Sequence, residues 1–264
     1  MKNLAGQTVW ITGASSGIGE ALSYAFAGKG ARLVLSARRM EELEKVKLRC
    51  LGAEQVELLS LDLSILGDLP QKVEWVLAKM GSLDILVNNA GLSQRCLAID
   101  SSSDVYRSIM EVNFFGTMEL SRLVLAQFIR QNEGLFVVIS SMAGKIGLPQ
   151  RTAYCASKFA LEGFFSSLKT ETWKTPIRYL IVRPGTVKTH IAENALTGNG
   201  RNFSRKDPFI EKGMAPEKLA RALLRAIEKN KTELFIGSAK ERLAIALNTY
   251  LPGLLFHRVK KIGS

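Results

Sequence analysis

Seven short apolar runs, rich in β-branched residues, recur along the chain and are separated by longer segments of helical character. They read TVWIT, RLVLSA, VELLSL, DILVNN, FVVISS, RYLIVR and ELFIG. Near-continuous apolar strands that alternate with helices are typical of a parallel sheet covered on both faces. The pattern therefore predicts an α/β fold, a doubly wound parallel sheet of seven strands with helices on both faces.

Composition limits the other possibilities. No repeat, low-complexity tract or linker divides the 264 residues, so we predict one domain over residues 1–264. Three scattered cysteines without a C-x-x-C motif favour a reducing compartment, and two histidines, His190 and His257, are too few for a multi-histidine metal site. We expect no metal, and a Ser-His-Asp triad is improbable.

Charge and hydropathy bear on partners and location. The formal net charge of +12 favours anionic partners, such as phosphate-bearing ligands, a membrane surface or nucleic acid, but a basic protein without such a partner explains it equally well. The N-terminus lacks the apolar core of a signal peptide, and no run of 18 apolar residues could span a bilayer. A cytoplasmic protein is expected.

A glycine-rich turn follows the first predicted strand, in TGASSGIGEAL. Gly13, Gly17 and Gly19 fall where a strand passes into a helix, and glycine lets the backbone approach a ligand closely. The helix N-terminus then offers free N–H groups to a pyrophosphate. The spacing is T-G-x-x-x-G-x-G rather than G-x-G-x-x-G. A tight turn alone would explain the glycines, but their position favours a dinucleotide site.

The end of the second strand separates NAD from NADP. An acidic residue there receives the ribose hydroxyls of NAD, whereas arginine accommodates the 2′-phosphate of NADP. This chain has Ala37, Arg38 and Arg39, and no acid before Glu41. Two solvated arginines paired with Glu41 and Glu42 are the alternative. We predict NADP(H), with NAD(H) less favoured.

A serine, a tyrosine and a lysine follow the fifth strand. Tyr154 and Lys158 are four residues apart, so they share one face of a helix. A nearby ammonium group favours the phenolate, so we expect Lys158 to lower the pKa of Tyr154 and to suit it to proton exchange. Ser140 and Ser141 both end the strand and compete for the role of holding a substrate oxygen.

The motifs TGASSGIG, NNAG, YCASK and RPGTVKT, in this order, resemble the short-chain dehydrogenase/reductase family. The segments LVLSARRMEELEKVKLRC, DILVNNAGLSQR and YCASKFALEGFF resemble its animal member-7 group. The resemblance implies a single Rossmann-type domain. Members of that group lie in the endoplasmic reticulum or peroxisomes and usually carry an N-terminal hydrophobic anchor. This chain begins at its first strand, so we expect no anchor and do not carry that location over.

The resemblance also implies site residues. The implied catalytic residues are Asn113, Ser141, Tyr154 and Lys158, with the spacing selecting Ser141. Asn113 would keep a water in a proton relay from Lys158, unless it is only a capping or buried polar residue. The implied cofactor-binding residues, with the two arginines, are Gly13, Ser15, Ser16, Gly17, Ile18, Gly19, Arg38, Arg39, Asp62, Leu63, Asn89, Ala90, Gly91, Tyr154, Lys158, Pro184, Gly185, Val187 and Thr189. NADP-preferring relatives often place a basic residue where this chain has Ser16, so the NADP prediction depends on the two arginines.

These residues predict an oxidoreductase that moves a hydride between nicotinamide C4 and a carbonyl or secondary alcohol carbon. Tyr154 would be the general acid and base. A catalytically idle NADP(H)-binding sensor or scaffold is the alternative. A methyltransferase does not suit the Tyr-Lys pair, and no motif supports a nucleic-acid binder, so no nucleic-acid partner is expected.

Three segments bear on substrate and partners. Residues 189–214 are polar and hold Gly198, Gly200 and Pro208, which favours a substrate-binding loop over a disordered surface loop. We expect specificity to lie in this loop, around Gln94, and at residues 146–150, where apolar side chains favour a lipophilic alcohol or ketone.

The family resemblance implies a homodimer or homotetramer formed through the helices that hold residues 113–128 and 154–173. Phe159, Phe164, Phe165 and Leu168 lie there, and the alternative is that all four face the chain's own sheet. The tail 239–264 is apolar, with Arg242, Arg258, Lys260 and Lys261 beside its apolar stretch. It would either cover the substrate mouth or a neighbouring subunit, or dip into an anionic membrane interface.

Overall fold

The computed structural model describes residues 4–205 and 207–260. The side chains of Phe209 and of residues 257–260 lie outside that description. Lys261 of the predicted basic tail lies outside it as well, as do the side chains of Arg258 and Lys260.

Within these residues, seven strands form one sheet. They are β1 Thr8–Thr12, β2 Arg32–Ala37, β3 Gln55–Ser60, β4 Ile85–Asn88, β5 Leu135–Ile139, β6 Arg178–Pro184 and β7 Glu233–Ile236. Their order is β3-β2-β1-β4-β5-β6-β7, and every neighbouring pair is parallel. Each of the seven apolar runs forms one of these strands, so the predicted fold class is confirmed.

The helices connect the strands as crossovers. They are α1 Gly17–Ala27, α2 Met40–Leu48, α3 Leu69–Met80, α4 Ser103–Met110, α5 Thr117–Gln131, α6 Thr152–Glu171, α7 Pro208–Glu211, α8 Pro216–Glu228, α9 Ala239–Tyr250 and α10 Pro252–Lys260. A π-helical turn, Glu111–Gly116, joins α4 to α5. Among the described helices, none combines the length and the apolar character needed to cross a bilayer.

Two apolar cores cover the two faces of the sheet. Helices α1, α2 and α8 pack on one face, through side chains such as Phe26 and Leu223. Helices α3, α5 and α6 pack on the other, through side chains such as Phe128 and Phe165. Strands β1, β4 and β5 are buried along their whole length, because both of their faces are covered. This burial is the physical reason for their near-continuous apolar composition.

The strand order reverses at β1, which lies between β2 and β4. Crossovers on the two sides of this point leave a crevice outside the carboxyl ends of the strands. The glycine turn follows β1, the arginines follow β2 and Ser141 follows β5, so all three reach the same edge. The fold thereby brings residues from distant parts of the sequence to one site.

Candidate active site

The glycine turn after β1 is held tightly against the end of β4. Gly13 has φ of +66°, and a Cβ there would lie 2.8 Å from the Cα of Ala90, so only glycine fits. Asn89 Nδ2 donates to the carbonyl oxygens of Thr12, at 2.9 Å, and of Gly13, at 3.1 Å. The segment Asn89–Gly91 thus holds the glycine turn in place through contacts and hydrogen bonds.

The start of α1 remains open to an anionic ligand. Ser16 occupies the N-cap position and makes no side-chain capping hydrogen bond, so the first N–H groups of the helix are not satisfied in that way. Gly17 has φ of +61°, and a Cβ there would lie 3.0 Å from Thr189 Cγ2. Ile18 packs on the core beside α1. The segment after β6 therefore closes on the turn, and the geometry suits a pyrophosphate at a helix N-terminus.

Two arginines lie exposed beside this turn, at the end of β2. Arg39 Nη2 donates to Ser15 Oγ at 3.4 Å. Glu42 pairs with Lys45 at 2.8 Å. In the described part of the chain, no ion pair joins Arg38 or Arg39 to Glu41 or Glu42, so the pairing offered as an alternative above is not found. The two guanidinium groups are available to an anion next to the glycine turn.

The remaining predicted cofactor residues line the same edge. Asp62 is half-buried, and its Oδ1 accepts from the N–H and the hydroxyl of Ser64, at 3.0 and 2.7 Å. Leu63 is buried against the π-helical turn. A Cβ on Gly91 would lie 3.1 Å from Asn113 Oδ1 and 3.7 Å from Lys158 Nζ. The segment after β4 therefore runs between the glycine turn and the lysine of α6.

Ser141, rather than Ser140, meets Tyr154. Tyr154 lies in the first turn of α6 and is 8% exposed. The Ser141 hydroxyl lies close enough to Tyr154 to favour a lower pKa of the phenol, and it accepts from the N–H of Ala143 at 3.1 Å. The Ser140 hydroxyl is buried against Gly144 and has no partner among the described residues. Successive side chains of a strand point to opposite faces, which is why only one of the two serines can face the tyrosine.

Lys158 lies one helical turn after Tyr154 on the same face of α6. Its Nζ is 5.8 Å from the centroid of the Tyr154 ring and donates to the carbonyl oxygen of Ile139 at 2.9 Å. Burial lowers the pKa of Lys158 to about 8, and the charge of Glu162 opposes that shift. Lys158 is therefore a cation close to its titration point near neutral pH.

The pKa of the Tyr154 hydroxyl is raised, whereas the sequence predicted a lowered pKa. Burial raises the pKa of Tyr154 above its ordinary value, while the nearby Ser141 hydroxyl and the charge of Arg151 oppose the rise. The expectation that Lys158 lowers this pKa is wrong for the protein by itself. The free-energy cost of removing the phenolate from water exceeds the stabilisation that the available positive charge provides. Burial also disfavours the charged form of Lys158. A phenolate here needs a further cation.

Asn113 lies in the π-helical turn and is fully buried. Its Nδ2 donates to the carbonyl oxygen of Leu92 and to Ser157 Oγ, both at 2.9 Å, and its Oδ1 accepts from the N–H of Leu92 at 2.7 Å. Asn113 therefore ties the segment after β4 to α6. π-helical turns are frequent at functional sites because the extra residue redirects a side chain inward.

The segment after β6 is fixed by a residue that the sequence reasoning missed. Pro184 ends β6, Val187 is buried, and the N–H of Gly185 donates to the carbonyl oxygen of Ile236 at 2.8 Å. Glu241 Oε1 accepts from the N–H of Thr186 at 2.7 Å. A signal did exist, since the spacing S-x-x-E over residues 238–241 forms a capping box at the start of α9.

The predicted substrate loop, residues 189–214, is attached at its base. Leu196 forms a bridge with Gln94, and its N–H donates to the carbonyl oxygen of Ser93 at 2.8 Å. Asp207 is buried and pairs with Arg95 and with Arg151, which immediately precedes α6. The loop is thereby connected to the helix that carries Tyr154. Asp207 is one of three acids in a polar segment, so the sequence carried no signal for this connection.

The side chain of Gln94 is turned into the protein. Its side chain is fully buried, and its Oε1 accepts from the N–H of Ala153 at 2.7 Å. It caps the start of α6, where the first N–H groups of a helix lack partners. The Gln94 side chain thus holds the helix of Tyr154, and specificity in the segment around Gln94 stays a prediction that depends on its other residues.

Replacing Lys158 with methionine should stabilise the protein in a pH-dependent way. Lys158 loses its proton at about pH 8 when folded and near 10.5 when unfolded, so the unfolded chain binds more protons between these values. The wild type therefore gains stability as the pH rises through this window. The methionine variant lacks this gain of about 3 kcal/mol, the difference between the two pKa values expressed as free energy.

The measurement is urea unfolding of both proteins at about pH 7 and about pH 10. The advantage of the variant should be clear at the lower pH and should shrink at the higher one. Lys169→Met, at an exposed position of the same helix, should show no such change. An equal difference at both pH values would show that Lys158 is not buried as a charge.

Fold and site together define a Rossmann-type α/β protein with a glycine turn at a helix N-terminus and a serine, a tyrosine and a lysine at the same edge of the sheet. The sequence model described as short chain dehydrogenase matches residues 7–199. The chain belongs to the short-chain dehydrogenase/reductase family, and it is an oxidoreductase of that family.

Named relatives and solved structures agree. The "Dehydrogenase/reductase SDR family member 7" of Homo sapiens is 39% identical over 98% of this chain and 78% of its own length. A short-chain dehydrogenase of Burkholderia phymatum in complex with NAD shares the fold, with a TM-score of 0.86 at 23% identity, covering 96% of each chain. An alcohol dehydrogenase of Thermococcus sibiricus complexed with 5-hydroxy-NADP has a TM-score of 0.75 at 28% identity, covering 88% of this chain and 97% of its own. The predicted resemblance to the member-7 group is confirmed.

Proposed function

We propose that this protein is an NADP(H)-dependent oxidoreductase that interconverts a carbonyl group and a secondary alcohol on a lipophilic substrate. The observation that carries the proposal is the proximity of the Ser141 hydroxyl to Tyr154, with Lys158 one turn away, at the edge where the glycine turn lies. Two hydroxyl groups that meet in this way can hold one substrate oxygen.

Each residue has a separate task. Tyr154 donates a proton to the substrate oxygen during reduction and accepts it during oxidation, while Ser141 donates a hydrogen bond to the same oxygen. Lys158 supplies positive charge one helical turn after Tyr154 and exchanges protons near pH 8. When bound, the nicotinamide cofactor supplies the hydride and, in its oxidised form, a positive charge. That charge is of the kind that a Tyr154 phenolate needs, because burial raises the tyrosine's pKa.

The cofactor preference is proposed from the end of β2. Arg38 and Arg39 are exposed beside the glycine turn, and Glu42 is engaged by Lys45. A 2′-phosphate would receive charge-assisted hydrogen bonds from such guanidinium groups. The two solved structures above carry NAD in one case and an NADP derivative in the other, so the fold accommodates either cofactor.

The lipophilic substrate is proposed from the surroundings of Tyr154. Ala143 and Cys155 are buried in a small apolar cluster with it, and Leu148 packs against that cluster partly exposed. Apolar walls around a few polar groups are the usual composition of a small-molecule site. A ketone or secondary alcohol with a large hydrocarbon part would gain from burial there.

The test is turnover with a panel of ketones in the presence of NADPH and of alcohols in the presence of NADP. Steady oxidation of NADPH by at least one lipophilic ketone is expected. Tight NADPH binding without turnover of any compound would instead support the idle sensor or scaffold.

We propose a cytoplasmic location on the grounds that Cys50, Cys96 and Cys155 are free thiols.

We also propose a homodimer or homotetramer through the outer face of α6. Phe165 and Leu168 are buried against the chain's own sheet, and Phe164 is partly buried against the same core. We therefore place the interface at other side chains. Phe159 and Phe115 are 46% and 40% exposed. Large apolar side chains left on the surface favour a contact between copies.

Light scattering should therefore give at least twice the chain mass of 29.0 kDa. Phe159→Glu should shift the mass toward one chain, because a charge would be buried in the contact. Ile65→Glu, at a position 50% exposed elsewhere, serves as the matched control and should leave the mass unchanged. A wild type that stays at one chain mass at micromolar concentration would contradict the proposed assembly.

A further inference from the structure

The C-terminal helices α9 and α10, with the residue between them, present several large apolar side chains to solvent. None of the residues of α9 is buried, and Leu255 of α10 is 7% exposed. The exposed set, with exposed fractions of 52, 80, 56, 48 and 68%, is Leu243, Tyr250, Leu251, Leu254 and Phe256. Exposed apolar groups of this size and density mark an interaction surface. We call these five residues the apolar ridge.

The ridge is one side of an amphipathic arrangement. Leu243, Ala246 and Tyr250 are spaced by three and four residues, so they share a face of α9, and all three are exposed. The opposite side of the helix contacts the protein, since Asn248 Nδ2 donates to the carbonyl oxygen of Lys145 at 2.9 Å. The helix thus lies flat on the molecule with its apolar face outward.

Positive charge accompanies the ridge. Residues 239–264 contain five basic residues and one acidic residue, a net charge of +4. The acid is Glu241, which is turned inward to Thr186 and Ser238. Lys240 and Arg242 are exposed beside the ridge, and Arg242 lies 5.6 Å from the centroid of the Phe235 ring. No other carboxylate in this stretch offsets the basic side chains.

The location of the ridge links it to the candidate active site. Glu241 attaches the start of α9 to the segment after β6, and Asn248 attaches its end to the segment that follows Ser141. Both attachments lie at the carboxyl edge of the sheet, the edge that carries Tyr154. A partner seated on the ridge would therefore lie near the edge of the sheet that carries Tyr154.

We propose that the apolar ridge docks the protein on the surface of a bilayer that contains anionic lipid, with Lys240 and Arg242 meeting the head groups. An apolar face flanked by basic residues binds in the plane of the interface. A second copy of the chain is the competing occupant, but a two-fold contact would bring two positively charged patches together. This proposal does not depend on the oxidoreductase reaction, and its test needs no turnover.

The experiment is co-sedimentation of the full chain with phosphatidylcholine vesicles that lack or contain phosphatidylserine. Binding should require phosphatidylserine and should weaken as salt rises from about 0.1 M to about 1 M, because the screening length falls roughly threefold. Lys240→Ala with Arg242→Ala should weaken binding by about 25-fold, at about 5-fold for each basic residue near a membrane surface. Leu254→Glu with Phe256→Glu should abolish binding.

Matched controls lie at the opposite, amino edge of the sheet. Lys229→Ala with Lys231→Ala removes the same charge there, and Leu48→Glu with Leu51→Glu changes two leucines that are each 79% exposed. Both controls should bind vesicles as the wild type does. No binding to any vesicle, or equal loss in ridge and control variants, would overturn the proposal. Ridge substitutions that dissociate an oligomer without changing vesicle binding would assign the surface to a second copy instead.

Discussion

Replacing Tyr154 with phenylalanine is expected to lower kcat/KM by a factor of about 10²–10⁴, the usual contribution of a positioned general acid or base. The change removes one hydroxyl group and keeps the ring that packs with Ala143 and Cys155. Ser141 retains its hydrogen bond from the N–H of Ala143, so the fold should persist. The measurement is steady-state kinetics with NADPH and the most active ketone of the panel.

The matched control is Tyr106→Phe. Tyr106 also contacts the start of α6, since its hydroxyl lies 2.6 Å from Thr152 Oγ1, but it is outside the cluster around Tyr154. It should retain near-normal kcat/KM. NADPH affinity should stay almost unchanged in both variants, because only the proton donor is lost. Near-normal rates in the Tyr154 variant would refute the proposed mechanism.

The double substitution Arg38→Ala and Arg39→Ala should erase most of the preference for NADPH over NADH. Hydrogen bonds to a charged group contribute about 1.5–3 kcal/mol each, and exposure of these side chains favours the lower value, so the preference should fall by about 10². The measurement is the ratio of the two cofactor dissociation constants, obtained by fluorescence titration. NADH affinity itself should hardly change.

Arg221→Ala with Arg225→Ala removes the same charge from exposed positions of α8 and separates a local contact from the general field of a basic protein. This control should keep the preference for NADPH. Equal affinity of the wild type for NADPH and NADH would contradict the cofactor proposal without affecting the catalytic one. The Tyr154 variant and the double arginine variant thus test the catalytic proposal and the cofactor proposal separately.

The sequence was sufficient for the architecture because the signal is local and repeated. Each strand of the sheet is short, apolar and buried on both faces, and each crossover is long enough for a helix. Motif spacing also placed Tyr154 and Lys158 on one helical face, whereas the choice of Ser141 over Ser140 needed the family resemblance. These features depend on neighbours close in the chain, whose periodicity can be read directly.

The sequence could not predict the electrostatics of the tyrosine. A lysine four residues away favours a lower pKa, but burial of both groups reverses the outcome. Burial is produced by packing of α6 against the sheet, so it depends on residues far away in the chain. The same limitation explains Gln94, whose polar side chain reads as a surface group but caps a helix 59 residues later.

For this protein, the order of apolar runs and glycines by itself determined the sheet, its crossovers and the edge at which a cofactor would bind, because strand and helix periodicity are properties of adjacent residues. Only the tertiary structure decided which polar side chains form the hydrogen bonds and ion pairs that hold that edge in place, namely Asn113, Asp207 and Glu241. It also decided which apolar side chains of the tail remain exposed. Hydrogen bonds and burial between distant segments follow from how helices pack on the sheet, and no short stretch of sequence contains that information.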